Sequence, residues 1–431
     1  MNILATLKNA WKTEDLKKKI IFTFFIIILF RIGVNIPVPF VNSDAVNAIF
    51  TNSAGNLLGY FNMLSGSALS QGVIFALTIQ PYINSSIIIQ LLTVAIPQFQ
   101  SWQKDGGEAG RKKLRNITRY LSVAIAVVQA YGYYSILNAY SALEYTYADG
   151  GKGWLAMLTI VFTLVAGSCL VTWLGECVDE KGIGNGISII LFASIVSRGA
   201  SLVANSMALF RNGQWWIVLI MLVVFLAVVV AIVFMDAAER RIPIQYAKRQ
   251  IGRKVYGGQS THLPIKVAMT GVMPIIFAFA IVGVPATIAQ FFPNSGYYTW
   301  VNKYFSTTSP LYMILTFVLI ILFNYFYLSI QYDPVEISNN IKNNGGTIPG
   351  IRPGKPTSDF IIRSVNRVTL CGALFLGVIA VLPYIIEAIV PTASGLAIGG
   401  TSVMILVSVA LETVRGLESQ MLMRHYKGFL D

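Results

Sequence analysis

The chain has 431 residues, of which 55% are hydrophobic and only 12% charged. Soluble domains carry about twice that share of charge, and with a mean hydropathy of +0.65 a soluble fold is excluded. The 32 Lys and Arg exceed the 19 Asp and Glu, for a net charge of +13; in a membrane protein such an excess reports orientation rather than nucleic acid.

Ten apolar runs, each near the roughly 20 residues that a span needs, are predicted as membrane helices. In chain order they are Ile20–Ile36, Val73–Ile96, Ile117–Leu137, Trp154–Leu174, Ile183–Val203, Gln214–Met235, Val267–Gln290, Pro310–Ile330, Ser364–Ile386 and Gly395–Leu411. Backbone groups in lipid must bond internally, and runs such as Ile20–Leu29 lack the polar/apolar alternation of barrel strands. The expected fold class is therefore an all-α polytopic bundle. The first run meets no small-residue cleavage site and leads instead into Arg31-Ile-Gly-Val-Asn-Ile-Pro-Val-Pro39, so it reads as a span and not a signal peptide. The stretch from Asn56 to Gly72 is apolar, uncharged and too short to span. An interfacial helix, a re-entrant segment, a stopper folded into a cavity and a surface loop are all open for it.

Of the 32 cations, 27 fall in the termini, in the loops after the even-numbered spans or in the span ends beside them, four fall on or toward the other side and Arg31 lies within the first run. The positive-inside rule puts both termini in the cytoplasm. The cytoplasmic loops 236–266 and 331–363 are about 30 residues each and hold most of what is not membrane. The segment Arg240–Lys254 has six cations in 15 residues, which suits either anionic lipid or docking of a phosphate-rich or acidic partner.

Ten spans divide into two sets of five, residues 1–205 and 206–431, and an odd number per half inverts the second. The second span of each half carries a mid-run proline, Pro81 and Pro274. Interrupted segments at matching places in two halves point to the functional centre. Arg31 is expected near the middle of its span in a structural role, and Glu412 is expected to pair with Arg415 at i, i+3.

Chemistry is hard to find. The span interiors hold almost no ionisable residues, against what proton or cation coupling needs. No phosphate loop, His-Glu-x-x-His or Gly-x-Ser-x-Gly occurs. Gly182-Ile-Gly184-Asn-Gly186 opens a span with no βαβ context and is read as a tight turn with close helix contact. Cys169, Cys177, Cys371, His262 and His425 form no ligand cluster, so neither structural zinc nor a disulfide framework is expected. Neither a cofactor nor an enzymatic activity is expected; a secondary transporter of a small solute is the alternative.

Several stretches resemble the bacterial SecY family. They are Phe30-Arg-Ile-Gly33 with Ile36-Pro-Val-Pro39, Phe61-Asn-Met63, Ser85–Leu92, Gly182–Ile189, Tyr246-Ala-Lys-Arg249, Gln259–Pro264, Pro349-Gly-Ile-Arg-Pro-Gly354 and Gly399-Gly-Thr-Ser402. The resemblance implies a clamshell of two five-helix halves in a bacterial plasma membrane, forming the central pore through which secretory proteins cross and from which membrane proteins leave sideways. It implies a pore ring of Ile79, Ile83, Ile187, Leu191, Ile276 and Ile405. It implies a plug over 57–70, with Leu57, Leu58, Tyr60, Phe61, Met63, Leu64 and Leu69, whose lack of charge should make displacement cost little. The implied lateral gate lies between spans 2–3 and 7–8, with Asn84, Gln129, Ala268 and Thr270 as candidates. Ala268 stands where many relatives carry Asn, so Thr270 is a candidate substitute in the gate's polar cluster. Arg240, Arg241, Lys248, Arg249, Arg253, Lys254, Arg352 and Lys355 are the implied docking residues for the SecA motor and the ribosome. The other implied partners are the small membrane subunits SecE and SecG, membrane lipids and unfolded client chains with signal sequences.

Overall fold

The computed structural model describes residues 11–427 except 12, 53–61, 63, 64, 67, 105, 146–149, 247, 248, 252, 253, 257–259, 290, 291, 293, 294, 307, 308 and 391–399. In chain order the first half contains α1 (Glu14–Gly33), α2 (Ser43–Asn52), α3 (Ala68–Gln71), α4 (Gln80–Ala95), α5 (Pro97–Lys104), α6 (Gly107–Ala139), α7 (Gly151–Lys181), α8 (Gly186–Ser197) and α9 (Gly199–Arg211). The second half contains α10 (Trp215–Ala237), β1 (Glu239–Tyr246), β2 (Arg249–Ile251), β3 (Lys254–Tyr256), β4 (Ser260–Lys266), α11 (Met273–Ala289), α12 (Gly296–Tyr304), α13 (Pro310–Gln331), α14 (Pro334–Asn343), β5 (Gly346–Thr347), α15 (Lys355–Ile389) and α16 (Gly400–Lys427).

Every predicted span contains a helix, but not every helix fills its span. Among the described residues, six helices are individually long and apolar enough to cross a membrane: Gly107–Ala139, Gly151–Lys181, Gly186–Arg211, Trp215–Ala237, Pro310–Asn343 and Lys355–Ile386. A seventh candidate is the pair Gln80–Ala95 and Pro97–Gln103, bent by 107°. The second and seventh spans are shortened for one reason. Both predicted runs begin as turns, over 73–79 and 267–272, and become helical at their prolines. Proline lacks the N–H that a helix interior needs, but its fixed φ suits the first turn.

The two unwound segments are packed alike. The carbonyl of Ile74 lies where a Cβ on Gly167 of α7 would stand, and the carbonyl of Val267 lies where a Cβ on Gly372 of α15 would stand. These helices are the fourth and ninth spans, matched members of the two halves. Only glycine lets backbone approach a helix this closely.

The unwound segments must still satisfy their backbone groups. On the far face, opposite the long loops, Ile74 N–H donates to the Ile36 carbonyl at 3.0 Å and Val38 N–H to the Gly72 carbonyl at 2.9 Å. A second strand-like bridge there joins Val41 to Leu143. On the face with the long loops, Val267 N–H donates to the Ala238 carbonyl at 3.0 Å.

The long loops depart from the all-α expectation. β1 pairs antiparallel with β4 from Glu239↔Lys266 to Gln245↔Ser260, and β5 adds two residues on its other edge. β2 and β3 form a separate short hairpin. Alternation explains the sheet: Ile242 and Ile244 are buried, with Ile265 of β4, against Leu328, Ile341, Ile361 and Val365, while Arg241, Pro243 and Gln245 between and beside them are exposed. The basic loop is thus a shelf welded to α13, α14 and α15.

Two larger cores serve the first half. One packs α6 and α7 under the far-face residues Val38, Val41 and Val46. The other packs α1, Phe75 and Ile79, α7 and α8 against Ile405 and Val409 of α16. The second half has its own core from α11, α13, α15 and α16, which Ile87 of α4 enters.

Other expectations are corrected. α1 starts at Glu14, six residues before the apolar run, so Arg31 lies in its last turn, where a cation complements the helix dipole. Arg415 pairs with Asp236 at the end of α10, at 2.6 Å, and not with Glu412. The Gly182–Gly186 turn is tight as read, with Asp179 Oδ1 accepting from Gly186 N–H at 2.7 Å and Asn185 capping α8.

Candidate functional site

Four helices meet near the middle of the bundle around a cavity of about 40 Å³. It is lined by Thr78, Gln80, Ile83, Asn84, Leu191, Ile275, Ile276, Phe279, Ala280 and Ile405. Because α4 and α11 start only at their prolines, their first turns lie against this space, and α8 and α16 contribute Leu191 and Ile405. Such a volume holds about one water molecule, and a constriction walled by aliphatic side chains disfavours water and ions.

Four of the six predicted ring residues, Ile83, Leu191, Ile276 and Ile405, line the cavity. Ile79 and Ile187 do not; both approach Gly175 of α7, at 3.6 and 3.7 Å from the position of a Cβ there, and Ile79 is fully buried. They form a layer behind the wall. Thr78, at φ +49°, is held at the bend by Ser168 Oγ, which donates to its carbonyl at 3.1 Å.

Beside this space runs a larger seam of about 420 Å³ between α4, α6 and α11. Gln80, Asn84 and Ala280 line both spaces, so they adjoin. Gln129 and Thr287 add polar groups to an otherwise apolar lining that includes Ile88, Val128 and Ile281. Asn84 and Gln129 both line this seam. Ala268 and Thr270 do not: they belong to the unwound segment 267–272 and neither lines the seam. Thr270 hydroxyl and Asn324 Oδ1, both buried, form a 3.1 Å hydrogen bond. That bond joins the unwound segment to α13 of the same half. Asn324 was missed in the sequence, although an Asn inside Leu322-Phe-Asn-Tyr325 is the expected sign of a buried polar contact in a span.

Of the predicted plug residues, Leu57, Leu58, Tyr60, Phe61, Met63 and Leu64 lie outside the described residues; Leu69 is described and buried. The end of the plug is well held. Tyr133 hydroxyl donates to the Leu69 carbonyl at 2.7 Å, Leu69 N–H donates to Ser65 Oγ at 3.2 Å, and Ser70 N–H donates to Asn62 Oδ1 at 2.9 Å. At Gly66, with φ +65°, a Cβ would stand 2.5 Å from the Ser194 carbonyl oxygen of α8, so glycine allows the close approach. The bonds that hold this end are neutral; those to the Leu69 carbonyl and from the Leu69 N–H are buried and the one to Asn62 is partly buried.

Among the docking residues, Arg240 and Arg241 are exposed on β1, with Arg241 paired to Glu239 at 2.6 Å. Arg352 and Lys355 are exposed at and after a tight loop whose Gly354 carbonyl accepts from Ser338 Oγ at 2.9 Å. Arg249 and Lys254 lie in the β2–β3 hairpin, and Lys248 and Arg253 lie outside the described residues. A further charged feature was not anticipated: Arg119 grips Glu176 with two bonds, at 2.6 and 2.7 Å, clamping α6 to α7.

A helical bundle in which the second and seventh spans both begin unwound beside a small, mostly apolar cavity defines a polytopic membrane protein of clamshell type. The SecY family model matches residues 73–414. The chain is 42% identical to the protein translocase subunit SecY of Streptomyces galbus, over 99% of this chain and 100% of that one. It is 39% identical to the protein translocase subunit SecY of Mycobacterium bovis, with the same coverage. The chain belongs to the SecY family. In fold it is similar to a solved protein-conducting channel, with TM-score 0.66 and 20% identity over 94% of this chain and 92% of that one. It is also similar to Sec61 from a canine ribosome–channel complex, with TM-score 0.61 and 18% identity over the same shares.

Proposed function

We propose that this chain is the central subunit of a protein-conducting channel of a bacterial plasma membrane. Unfolded secretory chains pass through the waist, and apolar segments leave sideways through the seam into lipid. The observation that carries the proposal is the adjacency of the two spaces. A small, mostly apolar cavity adjoins a larger, mostly apolar seam between α4, α6 and α11. Aliphatic walls part around an extended polypeptide and bind no sequence strongly, as a pore for many clients requires.

In this reading Ile83, Leu191, Ile276 and Ile405 form the seal, backed by Ile79 and Ile187, and the segment 57–70 closes the far side when the pore is idle. The chain supplies no chemistry of its own. The driving force comes from a partner bound at the basic shelf, either the SecA motor or the translating ribosome, with Arg240, Arg241, Arg249, Lys254, Arg352 and Lys355 as contacts together with Lys248 and Arg253. Sec61 in the canine ribosome–channel complex and the ribosome-bound yeast Ssh1 complex are similar in fold, which supports the ribosomal half of this assignment. Both termini and the shelf face the cytoplasm, as the distribution of cations requires. SecE and SecG are the proposed companions within the membrane.

The test is a stalled client. A secretory chain arrested in transit, carrying a photoreactive residue, is expected to crosslink to Ile83 and Ile276. Absence of such crosslinks together with solute counterflow through reconstituted vesicles would refute the channel and favour a small-solute transporter.

A further inference from the structure

Beyond the seam on the far-face side, a polar contact joins the elements that follow its α6 and α11 walls. The phenol oxygens of Tyr140 and Tyr298 are 3.4 Å apart, one hydroxyl donating to the other across 158 residues of sequence. Each tyrosine is mounted on a different wall. Tyr140 follows the last turn of α6, with its N–H on the Ile136 carbonyl at 3.1 Å, and three residues later Leu143 bridges to Val41. Tyr298 belongs to α12, which is fixed to the opposite wall. Ser295 Oγ caps α12 by accepting from Tyr298 N–H at 3.3 Å, and Tyr297 hydroxyl donates to the Pro285 carbonyl of α11 at 3.2 Å. Val301 is buried in the core of the second half, and Tyr298 packs against the same core.

We propose that Tyr140 and Tyr298 are a specificity-setting pair, a latch beyond the outer end of the seam that must part before an apolar segment enters, and so helps to fix how apolar that segment must be. The inference rests on the channel reading. The bond is suited to a threshold rather than a lock. Tyr140 is 48% exposed, so water competes for its hydroxyl, and a neutral hydrogen bond in such a place contributes a modest net stabilisation. On the Tyr140 side the latch is also steady with pH: the hydrogen bond to Tyr298, and then burial, push the Tyr140 phenol up to about 12, so that phenol stays neutral near pH 7.

The test uses vesicles holding the complete channel complex, with two secretory clients that differ only in the hydrophobicity of the signal segment. Tyr140→Phe and Tyr298→Phe each keep the ring and remove one hydroxyl. Each is expected to raise weak-signal export relative to strong-signal export by about two- to tenfold. Because either change removes the same bond, the double variant should rise no further than the singles. An unchanged ratio in both single variants, or additive effects in the double variant, overturns the latch. Failure of the unaltered chain to export even the strong-signal client overturns the channel reading instead.

Discussion

In the proposed channel, single side chains decide whether the waist is dry and whether the plug stays seated. Ile276 lines the cavity among aliphatic neighbours. Ile276→Asn puts an amide into a space of about 40 Å³ and gives water a partner there. Idle vesicles carrying that variant should leak small ions, measured as conductance without client; an unaltered baseline would remove Ile276 from the seal. Tyr133 acts at a different point. Its buried hydroxyl holds the Leu69 carbonyl, and Tyr133→Phe leaves that carbonyl only the longer bond from Gly72 N–H at 3.4 Å, at a cost of about 1 kcal/mol. We expect a higher frequency of brief openings in single-channel records, with unchanged conductance, because the plug root loosens while the waist keeps its width. Equal opening frequency would mean that Gly66 and Ser65 seat the plug without help.

At the scale of elements, the matched glycines make the internal symmetry testable. Gly167→Val and Gly372→Val each place branched carbons against a backbone carbonyl, and overpacking of this kind costs about 1–3 kcal/mol or more. Both should lower the thermal midpoint in detergent by similar amounts, and a large effect from one alone would break the equivalence. The prolines of these segments were legible in the sequence, because Pro81 and Pro274 interrupt their runs at matching places. The unwinding before them was not. Val73–Leu77 is as apolar as a helix, and its packing partner on Gly167 lies about 90 residues further on. The same distance problem hid the Thr270–Asn324 bond, 54 residues apart, and the Arg415–Asp236 contact, 179 apart. Ring residues were legible as aliphatic positions beside motifs. Which of them face the cavity depends on helix rotation, which near-uniform hydrophobicity leaves undetermined. The shelf is the reverse case, since the alternation of Arg241-Ile-Pro-Ile-Gln245 was visible but the partners of Ile242 and Ile244 come from three later helices.

The whole molecule joins a basic shelf to a seam. Arg352 is exposed beside the start of α15 and supports no core, so Arg352→Glu should insert and fold normally yet stall motor-driven export from vesicles; full export would remove Arg352 from the docking site. The backbone ties of the two unwound segments also set how the seam moves. The segment before α4 is tied to residues 36–38 on the far face, whereas the segment before α11 is tied to Ala238 on the basic face. The two walls are therefore pivoted at opposite ends, like crossed levers. At about 1.5 Å per residue, the 17 residues of α11 make an arm of about 25 Å, so a tilt of about 10° at its basic-face pivot swings its far end by about 4 Å. The widest travel of that wall falls where α12 carries Tyr298, and a weak bond placed at the end of a long arm resists rotation with the greatest leverage.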